Sequence, residues 1–114
     1  MITILHNNRC GKSRCALQLL EKQSEPFQVF EYLKQPLTKE IIEDLLKKLG
    51  KEPEEIIRKK ESVYLENFSG KLFPREKWID ILIEYPILIE RPIIIKGKKA
   101  IIARPPELVE TFLK

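Results

Sequence analysis

Two cysteines and one histidine carry most of the chemistry open to this 114-residue chain, and they fall close together: His6, Cys10 and Cys15. Cys10 sits in the polar stretch Asn7-Asn8-Arg9-Cys10-Gly11-Lys12, after a short apolar run and before a segment with helical spacing. A cysteine where a strand ends and a helix begins meets unpaired backbone N–H groups and the positive end of a helix dipole. Both favour thiolate over thiol, and Arg9, Lys12 and Arg14 add positive charge in the same stretch. In such settings cysteine pKa values fall from about 8.5 to roughly 3.5–7.5. A free cysteine is more often a small buried hydrophobe, but polar flanks at a strand-to-helix turn argue for reactivity. Cys10 is the candidate nucleophile. His6, four residues earlier, is placed to add charge or to polarise the thiol.

Cys15 reads differently. It shares helical spacing with Ala16, Leu19 and Leu20, which argues for a packed core position. Five residues of helix rotate it about 140° around the axis from Cys10, and a disulfide needs Cα atoms within about 7 Å. It becomes a resolving thiol only if the first turn unwinds. Two cysteines make no structural disulfide framework, and with one histidine they fall short of a zinc set, so no metal is expected. Gly11-Lys12-Ser13 looks like the end of a phosphate-binding loop, but the required earlier glycine falls at His6. A cysteine phosphatase loop needs arginine six residues after the cysteine, where Ala16 stands. Arg58, Arg91 before Pro92 and Arg104 before Pro105 have suggestive settings. Taken singly, each reads as a solvated surface residue.

The elements that must hold these residues follow from periodicity. Ile2 to His6 predicts a buried strand, about Ser13 to Gln23 a helix, and Phe27 to Tyr32 a second strand, joined by a parallel crossover. Thr38 is a good N-cap for the stripe Ile41, Ile42, Leu45, Leu46 and Leu49, which Gly50 stops. A short helix starts at Pro53, a polar loop holds Asn67-Phe68-Ser69-Gly70, and a helix from about Arg75 to Glu84 halts before Pro86. Pro92 to Ile95 and Ala100 to Ala103 flank Lys96-Gly97-Lys98-Lys99 as a hairpin, and Pro105-Pro106-Glu107 opens a terminal helix. The order β-α-β, helices, β-β-α predicts an α/β fold: one domain over 1–114, a four-stranded mixed sheet flanked by helices, with a helical insertion at about 37–86.

Composition bounds the rest. Hydrophobic residues at 43% and charged residues at 33% fit a folded globular chain. The net charge of +4 is spread among interleaved acids, so no nucleic-acid stripe forms. No run approaches the roughly 18 apolar residues of a membrane span, and the start lacks a signal-peptide pattern. The expected compartment is the cytoplasm.

Several segments together carry a resemblance. His6-Asn7-Asn8-Arg9-Cys10-Gly11-Lys12-Ser13-Arg14 resembles the active-site turn of the glutaredoxin-coupled arsenate reductase family. Tyr32 to Thr38, Ile57 to Glu61, Tyr85 to Pro92 and Arg104 to Glu107 resemble its other segments in the right order, over essentially the full chain. The resemblance implies a thioredoxin-like fold with a helical insertion. It implies that Cys10 attacks arsenate or a similar oxyanion, bound by Arg58, Arg91 and Arg104, that His6 and Ser13 tune the cysteine, and that Pro92 is a cis-proline facing it. It further implies glutathione as co-substrate, with no bound cofactor, and glutaredoxin as the partner that resolves the mixed disulfide. Asn8 stands where the family commonly has proline. Two alternatives accompany it: a glutaredoxin-like reductase of mixed disulfides with another substrate, and a non-enzymatic Spx-type regulator that binds RNA polymerase. Those regulators typically carry Cys-x-x-Cys, whereas position 13 here is Ser13.

Overall fold

The computed structural model describes residues 2–7, 10–23, 25–35, 37–104 and 107–113. Asn8, Arg9, Pro36 and the Pro105-Pro106 opening of the last helix lie outside them. By its internal contacts the chain divides into two compact units, 1–35 with 91–114, and 36–90.

The first unit holds the sheet. Strands β1 (Ile2–Leu5), β2 (Phe27–Phe30), β3 (Ile93–Lys96) and β4 (Lys99–Ile102) lie in the order β2-β1-β3-β4. β1 pairs parallel with β2 and antiparallel with β3, and β3 pairs antiparallel with β4. Helices α1 (Gly11–Lys22) and α5 (Leu108–Leu113) complete the unit. The mixed sheet with flanking helices is the architecture expected from the element order. Alternation along β1 sends Ile2 and Ile4 to one face, where they pack with Ala16 and Leu20 of α1, Ile94, Ala103 and Val109. Leu20 is wholly buried there. Leu20→Ala removes three carbons from a closed core and is expected to cost about 2–5 kcal/mol, read from urea unfolding.

The second unit, 36–90, is helical. Helix α2 (Lys39–Leu49) is bounded as its sequence predicts: Thr38 Oγ1 accepts the Ile41 N–H, and Gly50 takes the left-handed conformation at φ 67°. A 3₁₀ turn, Pro53–Ile56, opens on a reciprocal cap between Glu52 and Glu55. Helix α4 (Arg75–Glu84) buries Trp78, Ile79, Ile81 and Leu82. Helix α3 (Ser62–Asn67) was not expected; it has no buried residue and so left no apolar stripe to read. The segments 56–58 and 88–90 are tied within this unit, through Arg58 N–H to the Leu88 carbonyl at 2.7 Å and Glu90 N–H to the Ile56 carbonyl at 2.8 Å.

Two expectations need correction. Helix α1 begins at Gly11, not near Ser13, so Cys10 itself is its N-cap. Cys15 is exposed, not packed in the core. The inward stripe of α1 is Ser13, Ala16 and Leu20, and Cys15 sits about 140° from its centre. A serine occupies the buried start of the stripe, so counting apolar residues alone placed the face wrongly.

Candidate active site

β1 ends one residue before His6, and the chain then turns into α1. The Cys10 N–H donates to the Asn7 carbonyl at 3.0 Å, closing a four-residue turn, and the Arg14 N–H returns to the Cys10 carbonyl at 3.0 Å. Asn7 and His6 are both buried, 6% and 3% exposed. Ser13, fully buried on the second turn-forming side, locks the arrangement. Its Oγ accepts the Asn7 N–H at 3.0 Å and shares a hydrogen bond with His6 Nδ1 at 2.7 Å. Whichever of the two carries the shared proton, the hydroxyl fastens the first turn of α1 to the end of β1.

That fastening fixes backbone donors around the sulfur. Cys10 is partly exposed and caps the helix with extended backbone, φ −96° and ψ 121°. Its side chain makes no cap hydrogen bond of full geometry. Burial pushes its thiol up, but the Ser13 N–H, the Arg91 guanidinium as both donor and charge, and the Lys12 N–H together outweigh it. The balance leaves the thiol below the ordinary cysteine value. The first turn of α1 also carries no acid. Lys12 and Arg14 oppose the helix dipole there, which disfavours the helix end by some tenths of a kcal/mol each while adding positive potential beside the sulfur.

Arg91 and Arg104 stand at the open end of the hairpin. Ile93 pairs with Ile102, and the Ala103 N–H donates to the Pro92 carbonyl at 2.8 Å. The pairing thus continues past the strand ends, setting Arg91 opposite Arg104. The Arg91–Pro92 peptide is cis. Arg91 is only 8% exposed, an unusual degree of burial for this residue type. His6, Cys10, Ser13, Arg91, Pro92 and Arg104 all belong to the sheet unit, and there Ser13 and Arg91 act on Cys10 while His6 bonds Ser13. Arg58 belongs to the helical unit; its Nε bonds Glu61 Oε1 at 3.3 Å. Its Nη1 is buried with no hydrogen-bond partner among the described residues.

Sequence reasoning overlooked Asn7. Its amide donates to Ser13 and its carbonyl accepts from Cys10, so it bridges the two sides of the turn. The signal was available, since asparagine is favoured at the first position of such turns. The charged groove of the helical unit, lined by Lys39, Glu43, Lys47, Glu52 and Arg75, is a different matter. Arg75 already bridges Glu43 and Glu52 there, so its charges are mutually satisfied. Among the described residues no cluster of histidine, cysteine and carboxylates could hold a metal ion, and no helix is long and apolar enough to cross a membrane.

The mixed sheet with a cysteine at the N-terminus of its first helix is a thioredoxin-like architecture. Within it, the chain belongs to the ArsC family, whose model it matches over residues 5–112. It is 40% identical over 110 residues to the uncharacterized protein YfgD of Escherichia coli (strain K12), covering 95% of this chain and 92% of that one. It is 34% identical to an arsenate reductase of Neisseria meningitidis serogroup B, over 98% of this chain and 97% of the relative. The solved arsenate reductase from Vibrio cholerae superposes with a TM-score of 0.90 at 37% identity, covering 96% of this chain and 95% of that one.

Proposed function

We propose that the protein reduces arsenate to arsenite through Cys10, with glutathione as the second thiol and glutaredoxin as the partner that restores it. The observation that carries this reading is the partly exposed Cys10 with the Arg91 guanidinium and the Ser13 and Lys12 N–H groups acting on it. Family membership and the arsenate reductases similar to this chain support the substrate. Guanidinium forks match tetrahedral oxyanions and favour negative charge as it develops. Arg91 and Arg104 supply two such forks on the sheet unit.

The electron balance sets the need for a second thiol. Reducing arsenic from the +5 to the +3 state takes two electrons, and joining two thiols as a disulfide releases two. Cys10–SH, glutathione and H₃AsO₄ give the Cys10–glutathione mixed disulfide, H₃AsO₃ and water. Cys15 is badly placed to act as that second thiol: five helical residues give about 7.5 Å of rise alone, beyond the roughly 7 Å a disulfide spans. Ser13, three residues after Cys10, offers no sulfur. An external thiol is the economical solution.

The test is arsenate-dependent NADPH oxidation, coupled in one series to glutathione, glutaredoxin and glutathione reductase, and in another to thioredoxin and its reductase. Turnover in the first series alone is the expected result. Turnover only with thioredoxin would replace the proposed reductant, and none in either would remove arsenate as the substrate.

A further inference from the structure

Arg104 reaches the backbone of Arg91. β4 ends at Ile102, and the Arg104 N–H bonds back to the Ile102 carbonyl at 3.0 Å, a tight three-residue turn. From that turn the Arg104 side chain crosses the hairpin, and its Nη1 donates to the Arg91 carbonyl at 3.4 Å. The carbonyl belongs to the peptide that precedes Pro92, whose own carbonyl accepts the Ala103 N–H at 2.8 Å. Two successive carbonyls of the Arg91-Pro92 segment are thus held from the 103–104 segment, one by backbone and one by a guanidinium.

We propose that Arg104 is a positioning residue for Arg91: by holding the Arg91 carbonyl it fixes where the Arg91 guanidinium stands relative to Cys10. A guanidinium suits this task. It is always charged, and its planar fork can hold a carbonyl through one N–H while the remaining donors serve another group. Arg91 lies two residues before β3 begins at Ile93; the Ala103–Pro92 backbone bond carries the pairing one residue outward, and the Arg104 guanidinium takes the next carbonyl. Among the described residues, the groups with charge or titratable protons around the β1–α1 turn and the adjoining hairpin ends include His6 after β1, Lys12 and Arg14 on α1, Arg91 before β3 and Arg104 after β4. Arg91 acts on Cys10 by both hydrogen bond and charge, so a displaced Arg91 is felt at the sulfur.

The inference rests on Cys10 being the reactive thiol and not on arsenate being the substrate. It is tested by the pH dependence of iodoacetamide alkylation of Cys10 in the full chain, in a Cys15→Ser background that leaves one thiol. Arg104→Met is expected to raise the midpoint by about one pH unit, a tenfold loss of thiolate below it. In an Arg91→Met background the same substitution is expected to add almost nothing, since the group it positions is gone. Equal upward shifts in both backgrounds would mean that Arg104 acts directly through its charge, and would overturn the proposal. No shift in either background would overturn it too. If Arg104→Met unfolds, Arg104→Gln at the same part-exposed position carries the same cycle, with circular dichroism as the check. A parent protein whose Cys10 alkylates like a free cysteine would overturn this inference together with the proposed nucleophile. The expected cycle in a protein that never reduces arsenate would overturn the substrate reading alone.

Discussion

Cys10→Ser is expected to abolish arsenate reduction, a loss of at least about 10³-fold, while Cys15→Ser stays within about twofold of the parent. Serine keeps the size and the N-cap position but has no accessible anion near neutral pH, so the donors around residue 10 have nothing to stabilise. Cys15 points from the exposed side of α1, away from the stripe of Ser13, Ala16 and Leu20. The sign of the pH dependence follows from the lowered thiol. Proton loss from Cys10 comes earlier than from a free cysteine, so alkylation and turnover should rise with pH and level off below the ordinary cysteine value. Rates and alkylation profiles of the two variants, with folding checked by circular dichroism, decide the matter. Equal losses in both would point to a cycle that uses both sulfurs. A Cys10–Cys15 disulfide found by mass spectrometry during turnover would establish that cycle.

Where local chemistry and apolar pattern agree, the sequence was easy to read. Helix α2 is the clear case: an N-cap threonine, a stripe at helical spacing and a left-handed glycine all act within one stretch of chain. Helix α1 was harder because its inward face begins with Ser13, a polar residue made suitable for burial by His6 and Asn7. Both partners come from the end of β1, so the reason Ser13 is buried cannot be seen in α1 itself. Without it, apolar periodicity starts the helix past Cys10 and draws Cys15 toward the core. Helix α3 left no trace for the opposite reason: nothing on it is buried.

The arginines show how far register alone can go. A turn at Gly97-Lys98 pairs Lys96 with Lys99 and Ile93 with Ile102. Counting outward two more positions sets Arg91 against Arg104, 13 residues apart in sequence. That step needs only the hairpin, and the proline following each arginine marks the ends of the paired region. No comparable count reaches Arg58, whose place depends on the helical unit. The role given to it comes from the family resemblance alone.

Arg91→Ala is expected to lower arsenate turnover by about 10²–10³-fold, the range seen when one preorganised donor is removed from a developing anion. Two effects combine. Burial is the strongest influence on the Cys10 thiol and acts upward; Arg91 supplies two of the contributions that oppose it, by hydrogen bond and by charge. Without them the Ser13 and Lys12 N–H groups act alone, and the alkylation midpoint must move up. The oxyanion also loses a fork. Arg91→Lys separates the two effects. A lysine ammonium keeps a charge near the sulfur, so the alkylation midpoint should return most of the way toward the parent. It cannot reproduce two parallel N–H donors to one oxyanion, so the KM for arsenate should stay high. Parallel recovery of midpoint and KM in the lysine variant would mean that Arg91 serves only as a charge for the thiolate. In that case the oxyanion fork would have to come from Arg104, and the same substitution to lysine there would carry the KM effect instead.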